Sequence, residues 1–438
     1  MKKILNYSKM LKKLEAVSEG LPDTRTGENT QYEVRDAVSA GFSTFFTQAP
    51  SFLAQQRKMK QAKGKSNAES LFGIGEIPSG NQIRNLLDPC EPRTLFPVFN
   101  YVFEGLEKSG ELDKYRSYKN CQLLSFDGTE YFSSQAIHCP NCSRKELTNG
   151  ATQYTHQVIA PVVVNPKSKR VISLPPEFIL PQDGHEKQDC ELEAMKRWLT
   201  QHGEFHAARK STILGDDLFC HQPLCSLLLE LNFNFILVCK PDSHKILYET
   251  IEFLEKNGAV RTLKLRNWNG RFTEIHTYRY VNDVPLRGGT DALQVNWCEI
   301  TITRESNEKL IYRNSFATHF EITDSNVEAI VRDGRTRWKS ENENHNVLKT
   351  KGYHLEHNFG HGKMFLASFL LTLNLLAFLF HTTLEIVDTQ YRCLRQALAV
   401  RKTFFNDLRA LLRYMVFRDW QHLLDFMMEG LELTLDTS

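Results

Sequence analysis

No apolar stretch in this chain reaches the ~20 consecutive residues a membrane-spanning helix needs. The longest, residues 364–380, stops at 17 and carries Ser368, Thr372 and Asn374, so it predicts a buried core helix and no membrane span. The opening Met1-Lys2-Lys3-Ile4-Leu5-Asn6-Tyr7-Ser8-Lys9 lacks the apolar core of a signal peptide. The ten cysteines are mostly scattered, which predicts reduced thiols and a cytoplasmic protein rather than a disulfide scaffold. Net charge is also small, +2 from 54 basic and 52 acidic residues, so bulk charge names no partner. A second metal half-site is missing too. His138-Cys139-Pro140-Asn141-Cys142 is a lone CxxC with an adjacent His, and His156 is its only nearby further candidate. Zinc at His138, Cys139 and Cys142 is therefore a minor expectation, because such sites need four ligands at short spacing.

With 41% apolar and 24% charged residues over 438 positions, the chain has the makings of two or three soluble globular domains. Charge is unevenly placed. Residues 1–66 hold twelve Lys/Arg against six Asp/Glu, and the run from Arg57 to Lys65 contains no acid. Such a run is often a solvated face, but a basic N-terminal region also suits nucleic-acid phosphates. Residues 2–110 lack the alternation of strands and read as helices at 5–18, 31–47, 50–62 and 80–88. Residues 77–87 have the cap-then-amphipath pattern of a short DNA-facing helix, a pattern shared by plain helical domains.

The period changes near residue 120. Cys121-Gln122-Leu123-Leu124-Ser125-Phe126 reads as a buried strand delivering Asp127, and residues 154–164 and 170–179 as two further strands. A helix follows at 186–201 with Cys190, Ala194 and Trp198 inward; Ser211-Thr212-Ile213-Leu214-Gly215 then delivers Asp216. A helix at 221–231 and a strand at 233–240 complete a mixed α/β sheet covered by helices. Residues 255–314 read as a β-rich insertion, and 383–438 as amphipathic helices with Phe404, Leu408, Leu411, Leu412 and Met415 on one face, typical of a packing or oligomerisation tail.

Residues 325–352 read as one long helix, with Ser325 as N-cap and Gly352 as stop. Residues four apart share a helix face, which aligns Arg337, Glu341 and His345. By itself this describes a salt-bridged surface. With Asp127 and Asp216 at strand ends it also describes a third carboxylate completing an oxygen-ligand site for Mg²⁺ or Mn²⁺. Two such ions ~3.5–4 Å apart can activate the attacking oxygen and stabilise the leaving one in phosphodiester cleavage.

Phe126-Asp127-Gly128-Thr129, Leu214-Gly215-Asp216 and Arg337-Trp338-Lys339-Ser340-Glu341 together carry a resemblance. Over roughly residues 75–380 the chain resembles bacterial insertion-sequence transposases of the DDE class, in the branch marked by Tyr-x2-Arg-x3-Glu-x6-Lys. The segment from Gly352 to Gly362 and a β-rich insertion before the Glu belong to the same pattern. Two positions depart from it: the Tyr position is Gly334, and Lys349 makes the spacing Glu-x7-Lys. At 100° per residue on a regular helix, the extra residue turns Lys349 about a quarter-turn off the Glu face.

The resemblance implies an RNase H-like core (116–382, insertion about 255–314), a helical DNA-binding region (1–115) and a helical C-terminal tail (383–438). It implies Asp127, Asp216 and Glu341 as catalytic residues and ligands of two Mg²⁺ or Mn²⁺ ions, with Arg337 and Lys349 on DNA phosphate. An aromatic of the insertion, Trp268 or Trp297, would stack on a flipped base; anchoring a β-hairpin is the plainer role for either. The partners implied are double-stranded DNA, as terminal inverted repeats and target, and a second protomer in a homodimer pairing two ends; the setting is the bacterial cytoplasm, on the nucleoid. A transposase-derived DNA-binding protein without activity and an RNase H-like nuclease are the alternatives.

Overall fold

The computed structural model describes residues 4–26, 31–181 and 189–435. The N-terminal region is helical as its periodicity predicts. Helices Tyr7–Ser18, Phe52–Met59 and Gly80–Leu87 begin at Asn6, Ser51 and Ser79, whose side chains accept the backbone N–H three residues on. The apolar helix Leu366–Val387 runs through the interior of this layer, with Phe42 of the helix Val34–Phe46 against Phe380 at 5.0 Å between ring centres. It is long and apolar enough to cross a membrane, yet its span is mostly buried inside the protein.

The C-terminal helices Thr389–Ala397, Arg401–Tyr414 and Trp420–Gly430 fold back onto the N-terminal ones. Asn67 Nδ2 donates to the carbonyls of Leu412 and Met415, and the Trp420 ring lies 4.7 Å from Tyr7. Phe404 and Leu408 are buried as the pattern predicts, whereas Met415 is exposed at the helix end.

The sheet region contains β1 (Gln122–Ser125), β2 (Gly128–Ser134), β3 (Ser143–Glu146), β4 (Thr152–Ile159), β5 (Val162–Val164), β6 (Ile172–Ser173), β7 (Glu177–Ile179), β8 (Ser211–Gly215) and β9 (Asn234–Val238). The insertion adds β10 (Arg261–Trp268), β11 (Thr273–Pro285), β12 (Gln294–Arg304) and β13 (Leu310–Thr318). One mixed sheet runs in the order β10-β11-β12-β13-β9-β8-β1-β5-β6, and β2, β4, β3 and β7 form a smaller one. β1, β8 and β9 are parallel neighbours; β5 and β6 are antiparallel.

The single strands expected over 154–164 and 170–179 are each two. β4 and β7 pair in the small sheet, while β5 and β6 pair in the large one. The breaks fall at Pro161 and at Pro175-Pro176. Proline has no N–H for a ladder, so a strand ends there, and here it resumes in the other sheet. The insertion is continuous with the large sheet, because β13 pairs β9 from Phe316–Val238 to Thr318–Ile236.

The helix expected at 186–201 is Glu191–Ala207; residues 186–188 lie outside the described residues. Ala194 and Trp198 face inward, but Cys190 is the exposed N-cap and not a core position. The long helix expected over 325–352 is three pieces: Val327–Arg335, a π-helical stretch Ser340–His345, and Asn346–Thr350. Its N-cap is Asn326, not Ser325. Gly352, at φ 94°, does follow its end, and a Cβ there would meet Gln48 Oε1 at 2.2 Å.

Candidate active site at the carboxyl edge of the sheet

β1 and β8 run parallel in register, Ser125 opposite Leu214, so the residues just past their carboxyl ends are neighbours. Asp127 and Asp216 therefore emerge side by side at one edge. Asp216 accepts the backbone N–H of Leu218 at 3.0 Å, which fixes its rotamer at the start of a single 3₁₀ turn. The π-helical stretch is tied to the same edge by a buried hydrogen bond from Ser340 Oγ to Ser125 Oγ, 2.6 Å. That bond brings Glu341 and Arg337 to Asp127. Arg337 Nη1 lies 3.8 Å from Asp127 Oδ1, and Nη2 lies 3.3 Å from Glu341 Oε1, so one guanidinium is shared by two carboxylates.

Burial pushes the Asp127 carboxyl up to about 7; Arg337 opposes this, while the charges of Glu341, Asp216 and Glu191 add to it. Asp127 thus feels three other carboxylates, and Arg337 is paired with it and with Glu341. Glu191 is the member that sequence reasoning missed. It opens the helix behind the sheet, and its own carboxyl is raised by burial and then by Asp216. A Cβ on Gly128 would stand 2.3 Å from the Glu191 carboxyl carbon, so the glycine after Asp127 makes room for this side chain. The Phe-Asp-Gly order was the available signal, though it does not name the acid that fills the space. His345, buried and pulled down to about 4 by desolvation, sets Nδ1 3.5 Å from Asp127 Oδ2 as a neutral imidazole.

Glu343 points away from this group, lining a separate cleft with Lys167, Ser168 and Lys169. Lys339, whose Nζ donates to the carbonyls of Pro166 and Ser168, feels the Glu343 charge. Lys349 pairs with Glu356 at 2.8 Å, and its charge also acts on Glu130 and His345. The quarter-turn offset expected of it assumed a regular helix. A π-turn closes i to i+5 and so takes up one residue more than an α-turn, which offsets the extra position in Glu-x7-Lys. Gly334, where the motif has Tyr, lies against the sheet: a Cβ would sit 2.8 Å from both Ile236 and Phe316. No larger side chain fits without moving this helix.

Trp268 is 64% exposed at the end of β10, beside the exposed Arg266 and Arg271; Trp297 is 1% exposed, its Nε1 donating to Tyr248 Oη at 3.3 Å. Of the two, Trp297 is the hairpin anchor and Trp268 the free aromatic face. In the N-terminal region, Arg84 Nε is committed to the Phe359 carbonyl at 2.7 Å, so the helix Gly80–Leu87 docks on the segment after the carboxylate-bearing helix. Lys58 lies near Arg409 and Arg413, and burial with their positive charge lowers its pKa.

Among the described residues, the His, Cys, Asp and Glu groups whose donor atoms all lie within 4.8 Å of one another are two thiol–imidazole clusters, not the carboxylates. One is Cys139, Cys142, His156 and His361; the other is Cys220, Cys239 and His244. His138 belongs to neither: it is exposed and stacks on Tyr154. Compared with known proteins, the chain matches no protein-family model and no curated protein.

Proposed function

We propose that this chain is a DNA transposase of the DDE class, cutting the ends of its element and joining their 3′ hydroxyls to target DNA. The observation that carries the reading is the placement of Asp127 and Asp216 just past the carboxyl ends of two parallel strands, with Arg337 linking Asp127 to Glu341. The inner strand order β6-β5-β1-β8-β9, with β1, β8 and β9 parallel and the β5–β6 hairpin antiparallel, supports an RNase H-like core for that site.

The donor set suits Mg²⁺ or Mn²⁺. It is all oxygen, and the surrounding negative charge, which adds to burial in raising Asp127, is what a divalent ion would neutralise. Asp127, Asp216 and Glu341 would hold the ions, which supply activation of the attacking oxygen and stabilisation of the leaving one. The chain's own residues do the rest. Arg337 presents a guanidinium where a scissile phosphate would approach, a charge-assisted contact that positions the phosphodiester. Lys349, paired with Glu356, is the second candidate phosphate contact. Ser340, through Ser125, holds the Glu341 segment on β1. Trp268 offers a stacking face for an unpaired base, and the basic N-terminal region, with Lys58 near Arg409 and Arg413, offers phosphate contacts for the terminal repeats. Two protomers would pair two ends.

The test is cleavage of a plasmid carrying the reading frame with its own flanking DNA. Magnesium-dependent nicks at repeated ends, abolished in Asp127→Asn and Glu341→Gln with end binding intact, are expected. End binding without cleavage by the wild type would favour the inactive DNA-binding alternative. Cleavage without regard to ends would favour the nuclease.

A further inference from the structure

Cys139 and Cys142 sit in the turn between β2 and β3, His156 on β4, and His361 in the segment that follows the helix Asn346–Thr350. All four are buried. Their donor atoms converge: Cys139 Sγ to Cys142 Sγ is 3.9 Å, Cys139 Sγ to His156 Nε2 3.5 Å, Cys142 Sγ to His156 Nε2 3.4 Å, and Cys142 Sγ to His361 Nε2 3.6 Å. Zn–S bonds of about 2.3 Å and Zn–N bonds of about 2.0–2.1 Å at tetrahedral angles place ligand atoms about 3.8 Å apart for S···S and about 3.6 Å for S···N. The observed distances fall within a few tenths of an ångström of those values.

Two other readings fit less well. A disulfide needs sulfurs about 2.05 Å apart, far inside 3.9 Å. A purely hydrogen-bonded cluster would leave Cys142 Sγ facing Cys139 Sγ, two imidazole nitrogens and the Cys139 N–H with at most one proton of its own. Four lone-pair-bearing atoms aimed at one point call for a cation at that point. The Cys139–Cys142 turn has the shape of a metal knuckle, its Cys142 N–H donating to the Cys139 carbonyl at 3.1 Å and the Cys139 N–H to Cys142 Sγ at 3.4 Å.

We propose that Cys139, Cys142, His156 and His361 form a closed structural Zn²⁺ site that fastens the small sheet to the segment behind the carboxylate-bearing helix. Two thiolates and two imidazoles suit Zn²⁺ and not Mg²⁺, and four protein ligands leave no position for water or substrate. The segment it anchors is held on other sides as well. Asn141 Nδ2 donates to the Met364 carbonyl at 2.6 Å, and Asp88 accepts the N–H groups of Lys363 and Met364. Phe132 covers the His361 ring at 4.3 Å, which keeps the site dry. The site is independent of the DNA-cutting reading.

The test uses the full-length protein. Elemental analysis is expected to find one zinc per chain, and X-ray absorption a shell of two sulfurs at about 2.3 Å and two nitrogens at about 2.0–2.1 Å. Cys142→Ser and His361→Ala should each weaken zinc retention at least tenfold against a competing chelator. His138→Ala, Asp127→Asn and Cys220→Ala should retain zinc like the wild type. If a ligand variant fails to fold, the wild-type absorption spectrum alone decides the matter. A wild type that carries no zinc and takes none up on titration would overturn the proposal. So would a shell of different composition, or loss of the metal in Cys220→Ala with retention in His361→Ala.

Discussion

Two clusters lie on either side of the same helix-and-segment unit and are built on opposite terms. At the sheet edge, Asp127 feels the charge of Asp216, Glu191 and Glu341, Arg337 is shared by Asp127 and Glu341, and Glu341 is largely open to solvent. Behind it, two thiols and two imidazoles are buried with donor atoms at tetrahedral spacing. On the proposed reading, the first site must admit a phosphodiester, so it keeps open positions and tolerates repulsion. The second, proposed as a tether between segments, closes its shell with protein ligands. Mutations should therefore act in opposite directions at the two places.

The largest contrast is within the helix itself. Glu341→Gln should abolish magnesium-dependent strand cleavage, while Glu343→Gln, in the separate cleft, should cleave within a few-fold of wild type; a gel assay on end-containing DNA decides, and the reverse result would move the site to Glu343. Stability should then split by cluster. Removing His361 should lower the melting temperature and release residues 351–365 in hydrogen exchange, because it unfastens two segments. Asp127→Asn in magnesium-free buffer should instead raise stability by ~1 kcal/mol, since it deletes a carboxylate that burial, and then neighbouring like charges, disfavour. A fall in both would mean that the carboxylates are structural partners too.

Smaller effects test the frame that holds the clusters. Gly334→Ala should cost ~1–3 kcal/mol by overpacking against Ile236 and Phe316, read as a shift in the denaturation midpoint. An unchanged midpoint would show that the helix can lift without loss. The mildest probe is pH. Burial pulls His202 down to about 4 and His206 to about 3, so in the folded state both stay neutral below the usual imidazole value of about 6.5. The unfolded chain binds protons first, and stability should fall as pH drops from about 6.5 towards 4. His206→Phe should flatten that slope in a thermal-melt series.

The elements were legible wherever one period ran unbroken. The four expected N-terminal helices, β1 with Asp127, β8 with Asp216 and the buried helix expected at 364–380 follow from apolar spacing and caps, whereas Ala62–Phe72, Phe96–Lys108 and the extension of the buried helix to Val387 do not. The sequence departed from the structure where a local rule met a tertiary demand. Pro161 and Pro175-Pro176 each looked like interior residues of one strand, yet each hands the chain from one sheet to the other. The 325–352 pattern is helical throughout, but its turn at 336–337 and π-stretch depend on how it meets β1 and β9.

What the residue order settles here is local: which face of each segment is apolar, where chains turn, and that two aspartates end two buried strands. Which side chains meet was decided by the packed fold. Cys142 and His361 are 219 positions apart and Glu191 follows Gly128 by more than 60, so no periodicity links them. A helical or strand period encodes only a direction from the backbone. The point at which several such directions converge is set by how sheets and helices bury their apolar faces against one another.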